Sequence, residues 1–84
     1  MQEAIEERVM RAIASASHTP LEQITPGQTF EEIGLTSLDA LAIVAELEEE
    51  FGIEIPNEEA LALRDVRGAV ECVRTLITSG AGQS

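Results

Sequence analysis

Ile5, Val9, Ala12, Ile13 and Ala16 recur at three- and four-residue intervals, the spacing of a single apolar stripe along an α-helix. They predict a first helix over residues 3–16, with Glu7 four positions ahead of Arg11 as a favourable surface pair. A second series, Ala40, Ile43, Val44, Leu47 and Phe51, predicts a helix over residues 37–51 that Gly52 stops. A third, Val66, Ala69, Val70, Val73, Leu76 and Ile77, predicts a last helix over residues 66–78 with Asp65 as its N-cap. Between the first two, residues 17–28 hold His18, Pro20, Pro26 and Gly27, the composition of a long connection with at most one short turn near residues 21–24. His18 is read as a loop residue. Phe30 and Ile33 can anchor a brief turn before Gly34 breaks the chain. After Gly52, Ile53 and Ile55 can tuck inward before Pro56 and Asn57 start a short helix over residues 58–62. The pattern therefore predicts an all-α fold. It is a small four-helix bundle, three main helices plus one short helix, with a long first loop. One domain spans residues 1–79, and residues 80–84 form a flexible tail.

Composition supports this and narrows it. There is no Trp or Tyr and there are only two Phe, so the core is aliphatic, which favours packed helices over a sheet. With 84 residues the chain can bury one core but cannot also enclose a sizeable active site. No long apolar run or basic cleavable leader is present, and the expectation is a cytoplasmic protein outside the membrane. Cys72 stands alone, with no second thiol and no nearby His for a zinc site, and reads as a small hydrophobe on a helix.

Charge adds a direction. The net charge is −11, from sixteen acids and five bases, all five of them Arg. Arg8, Arg11, Arg64, Arg67 and Arg74 lie toward the chain ends, balanced there by Glu3, Glu6, Glu7, Asp65 and Glu71. The whole excess therefore falls in residues 12–63, which contain eleven acids and no base. Such a field repels phosphate backbones and anionic lipid and attracts basic surfaces, so nucleic acid and membrane are poor partners. Like-charge repulsion also favours a monomer.

The second predicted helix carries a surplus apolar face. At about 100° per residue, Leu38, Leu41, Ala42 and Ala45 project away from the core stripe, continued by Glu48 and Glu49, while Asp39, Glu46 and Glu50 form a solvated side. Either another helix covers this face or it is an exposed patch with an acidic rim, the composition of a docking surface. Ser37 projects to its edge at the helix start. A hydroxyl there is first of all a cap. Thr36 followed by Asp39 has the pattern of a capping box, although Asp reaches less far than the usual Glu or Gln. Thr36 can take the cap and leave Ser37 spare, at a place where a phosphate ester would be stabilised by the helix terminus.

These residues resemble the acyl carrier proteins of bacterial fatty acid and polyketide synthesis. The likeness runs from "IEERV" at residues 5–9 through Phe30 and "GLTSL" at residues 34–38 to "LEEEFGIEIP" at residues 47–56 and "AVECV" at residues 69–73. It implies a four-helix carrier with no catalysis of its own. In that family a phosphopantetheinyl transferase moves 4′-phosphopantetheine from coenzyme A onto the serine of a Gly-x-Asp-Ser-Leu motif, a position matched by Ser37. The thiol of the arm then holds acyl groups as thioesters. Ligase and synthase enzymes with basic surfaces dock on the second helix, here through Thr36, Leu38, Asp39, Leu41, Ala45, Glu48 and Glu49. Beginning with Met1 and ending in a short tail, the chain resembles a free-standing carrier. Two positions depart from the family pattern. Thr36 replaces the aspartate before the serine, and Ala42 stands where an acid is often found. The first change spares the cap but removes a carboxylate where the loading transferase and its metal approach, which points to a specialised member.

Family carriers can also fold an acyl chain between their helices. Ala40, Ala42, Ala45, Ala60, Ala62 and Ala69 either leave room for one or allow close packing, and close packing is the expectation. A competing reading keeps the docking helix but dispenses with the arm, leaving an interaction or regulatory module. An enzyme finds no support, since no Ser/His/Asp, Cys/His or glycine-rich phosphate motif occurs. The glutamates of residues 46–54 lack the alternating oxygen ligands of a calcium loop, so no specific metal site is expected.

Overall fold

The apolar stripes of three long helices meet in one core. In the computed structural model, which describes residues 2–79 with side chains over residues 5–78, the order is α1 (Gln2–Ser17), α2 (Phe30–Ile33), α3 (Ser37–Phe51), α4 (Asn57–Ala62) and α5 (Val66–Ser79). A 3-10 turn, Leu21–Gln23, lies in the first loop. α1 packs against both α3 and α5, which touch one another more narrowly. Val9 and Ile13 of α1, Ile43 and Leu47 of α3, and Val66 and Val73 of α5 are completely buried. Each such side chain contributes about 1.5–3 kcal/mol relative to exposure. Ile24, Phe30, Ile53 and Ile55 close the core from the connecting segments.

The three long helices and the short α4 follow the apolar periodicity to within a residue or so at their ends. The loop before Gly34 is more regular than its composition suggests, because Phe30–Ile33 forms a complete short helix. Thr29 caps it: its hydroxyl oxygen accepts the Glu32 N–H at 3.1 Å, and the Glu32 carboxylate accepts the Thr29 N–H at 2.9 Å. Gly34 ends it in the left-handed region, at φ 96°. His18 also has positive φ, 55°, and closes α1. Just beyond it the Thr19 N–H reaches back to the Ala14 carbonyl at 3.0 Å. Asp65 caps α5 through the Gly68 N–H, at 2.7 Å.

One long-range stitch shapes the region around α2. The Phe30 N–H donates to the Arg64 carbonyl at 2.8 Å and the Val66 N–H to the Gln28 carbonyl at 3.2 Å, a single antiparallel bridge between Thr29 and Asp65. It holds the link between α4 and α5 against the start of α2. The tail expected at residues 80–84 lies outside the described residues.

Candidate functional site

The N-terminus of α3 is built by short-range bonds. Gly34 donates to the carbonyls of Phe30 and Glu31, and the Leu35 N–H donates to the Phe30 carbonyl at 2.9 Å, which fixes the exit from α2. Thr36 is the N-cap of α3, in extended conformation. Its hydroxyl oxygen accepts the Asp39 N–H at 3.3 Å, while an Asp39 carboxylate oxygen accepts both the Thr36 N–H at 2.9 Å and the Thr36 hydroxyl at 3.1 Å. Asp39 thus closes the box despite its shorter reach, because the hydroxyl and the backbone N–H of Thr36 share one of its oxygens. Asp39 is accordingly part of the cap as well as of the solvated side.

Ser37 follows as the first residue of α3. It is exposed, and among the described residues its hydroxyl has no hydrogen-bond partner. The side chain sits on the rim of an open groove of about 460 Å³. Phe30 and Leu35 wall it on the α2 side, Ala40 and Leu41 on the α3 side, and Ala60, Leu61 and Leu63 on the α4 side, with Arg64 also lining it. The small residues thereby divide between two roles. Ala40 and Ala60 open the groove, whereas Ala69 is completely buried and lets α5 pack closely.

The surplus face of α3 is open. Leu38 and Leu41 keep 77% and 54% of their surface exposed, and Ala42, Ala45 and Glu49 are exposed as well. Of the two readings that periodicity allows, a covering helix is therefore excluded among the described residues. Glu48 has a second task, since its carboxylate accepts the Ile55 N–H at 2.8 Å and ties α3 to the segment leading into α4. Glu50 is engaged by Arg8 and so is not simply a solvated charge.

Other features of the region escape a reading by sequence. Leu61 of α4, 75% exposed, and Arg64 of the α4–α5 link, which the Thr29–Asp65 bridge holds beside α2, both line the Ser37 groove. The α2 cap had a visible signal, Thr29 followed three positions later by Glu32. Cys72 lies away from the groove, and its thiol donates to a Glu59 carboxylate oxygen at 3.4 Å. Burial, then the hydrogen bond and negative charge of Glu59, push this thiol up to about 11, which leaves it protonated and unreactive at neutral pH. Among the described residues no group of three or more His, Cys, Asp or Glu is placed to hold a metal ion. Among the described residues, too, no helix is long and apolar enough to cross a membrane.

Residues 7–73 match the family model described as "Phosphopantetheine attachment site". The chain belongs to that family. This carrier domain is 44% identical over 59 residues to the mitochondrial acyl carrier protein of Dictyostelium discoideum, a match covering 70% of the chain. It spans about half of that relative, 49% of its length. The carrier domain also shares its fold with the crystal structure of an acyl carrier protein from Thermotoga maritima. That likeness has a TM-score of 0.81 and 23% identity, and covers 93% of this chain and 92% of the other. The prosthetic group that this family's attachment site implies is a covalently bound 4′-phosphopantetheine. The surroundings of Ser37 suit that group, with an unbonded, exposed hydroxyl at the start of a 15-residue helix.

Proposed function

We propose that Ser37 is the attachment residue and that the chain carries acyl intermediates as thioesters between biosynthetic enzymes of the fatty acid or polyketide type. One observation carries the assignment: Thr36 and Asp39 satisfy the cap between them, which leaves the Ser37 hydroxyl free on the groove rim. The arm, when attached, supplies the thiol that forms the thioester. The chain's own residues orient and present it. Ser37 is anchored at a helix start whose first N–H groups have no partner inside the helix, a favourable neighbourhood for a phosphate ester.

Leu38, Leu41 and Ala45, flanked by Glu48 and Glu49, are the surface on which a phosphopantetheinyl transferase and later ligase or synthase enzymes would sit. The acidic field of residues 12–63 favours partners with Arg- and Lys-rich surfaces and raises their association rate. Thr36 in place of an acid points to loading or partner enzymes matched to this carrier. With its charge of −11 the chain is a monomer in this reading. A cytoplasmic location, expected from sequence, competes with the mitochondrial one that the name of the Dictyostelium relative gives for that protein, and cell fractionation decides between them.

The deciding experiment is to incubate the apo chain with coenzyme A and a broad-specificity transferase and weigh the product. The expected gain is roughly 340 Da, lost in Ser37→Ala. No gain, or a gain that persists in the variant, would refute the assignment.

A further inference from the structure

Five arginines are the chain's entire basic complement, and three of them are spent within the fold. Arg8 pairs with Glu50, Arg11 with Glu7 and Arg74 with Glu71. Arg67 and Arg64 have no carboxylate within ion-pair distance among the described residues. Of all five, only Arg64 lines the groove whose rim carries Ser37. Its backbone is held by the bond its carbonyl accepts from the Phe30 N–H at 2.8 Å, and its side chain is exposed, with no hydrogen bond or ion pair among the described residues. Glu31 shares the groove lining but is not within ion-pair distance of it.

A phosphodiester on Ser37 adds one more negative charge to a stretch that already holds eleven acids and no base, and an uncompensated charge there is repelled. The residue beside the serine, Thr36, is neutral. Among the described residues the sole cation on the groove is an arginine, whose planar guanidinium can offer two parallel N–H donors to two phosphate oxygens. We infer that Arg64 is the counter-ion of the Ser37 phosphodiester. It is a positioning residue: it draws the base of the arm over the groove mouth, against Leu41 and Leu61, and away from the acids of α3. This rests on the assignment of Ser37 as the attachment residue.

The test compares loaded and apo protein for the wild type, Arg64→Gln and Arg64→Lys by urea unfolding at low and at high salt. Because the side chain is exposed, the variants are expected to fold. At low salt, loading should favour the folded state by about two- to five-fold more in the wild type than in Arg64→Gln, the range of an exposed ion pair. Arg64→Lys should recover part of the difference, and high salt should erase it. The Arg64 Nε–H resonance should also move on loading with the bare arm. If loading shifts stability equally in the wild type and Arg64→Gln at low salt, or if the resonance moves only once a carboxylate-bearing acyl group is added, the inference is overturned while Ser37 remains the attachment residue. A wild type that gains no mass overturns both.

Discussion

The guanidinium of Arg8 lies over the ring of Phe51, 4.4 Å from its centroid, joining the first turns of α1 to the last turn of α3. From the same position its Nε donates to a Glu50 carboxylate oxygen and a terminal nitrogen donates to the Glu50 carbonyl, both at 3.1 Å. The last turn of α3 contains no basic residue of its own, so Arg8 supplies from another helix the cation that a helix C-terminus favours. The ion pair is about half exposed, with side-chain exposures of 47% and 42%, which limits its strength. Arg8→Met should lower stability by about 1 kcal/mol, mostly through the stacking and the carbonyl bond. Arg8→Lys should lose a fraction of that, since lysine keeps the charge but not the planar fork. Urea unfolding measures both, and an unchanged Arg8→Met midpoint would show the contact to be idle.

Thr36 and Asp39 form one capping unit, so their losses should not add. Thr36→Ala and Asp39→Ala should each lower stability by about 1 kcal/mol, and the double variant should lose little more than either alone. Thr36→Asp keeps a capping side chain and should change stability by less than about 0.5 kcal/mol. The same substitution restores a carboxylate beside Ser37, and the expected result is faster loading by a broad-specificity transferase, followed as mass gained against time.

His18 holds a left-handed conformation, φ 55°, that glycine adopts without penalty. His18→Gly should raise the unfolding free energy by about 0.5–1 kcal/mol. A decrease on thermal or urea unfolding would mean that the imidazole makes a compensating contribution.

Cys72 should react slowly with thiol reagents at pH 7 and faster as the pH approaches about 11. Glu59→Gln should lower that pKa by removing a neighbouring negative charge, visible as faster alkylation at a fixed pH between 8 and 9. The sign for stability follows from the same shift. The unfolded thiol loses its proton near pH 9 and the folded one near 11. The folded state therefore binds more protons between them, and Cys72 should weaken the fold as pH rises across that interval and have no effect below it.

The groove of about 460 Å³ beside Ser37 sets an expectation for cargo. If it shelters the acyl chain, medium-chain acyl forms should melt at higher temperature than short-chain forms, because burial against Leu41, Leu61 and Leu63 links cargo to folding. Leu61→Glu should abolish the difference. Equal melting temperatures would leave the groove as a surface feature.

Much of this architecture is legible in the sequence because its causes are local. The stripes from Val9 to Ile13, Ile43 to Leu47 and Val66 to Leu76 announce three helices through their period alone. Thr36 and Asp39 announce a cap, and Leu38 and Leu41 lying off the core stripe announce a second apolar face of α3, although periodicity leaves open whether another helix covers it. The features that escape depend on residues far apart in the chain. Arg8 meets Glu50 across 42 positions, and Arg64 reaches the groove because its carbonyl pairs with Phe30. Periodicity carries no information about either contact. Glu48 is an intermediate case, correctly placed on the helix rim, yet its bond to the Ile55 N–H depends on how the chain turns after Gly52.

Two reciprocal caps, Thr29 with Glu32 and Thr36 with Asp39, bracket the left-handed Gly34. The short-range bonds that set the direction of Ser37 therefore close within residues 29–39, and the bond from the Phe30 N–H to the Arg64 carbonyl ties that segment to the rest of the fold. The serine's bearing is written in a single short phrase of the chain. Substitutions on surfaces away from this segment and its bridge to Arg64 leave those bonds in place, whereas a change at Phe30, which is buried in the core, reaches the bearing of the serine directly.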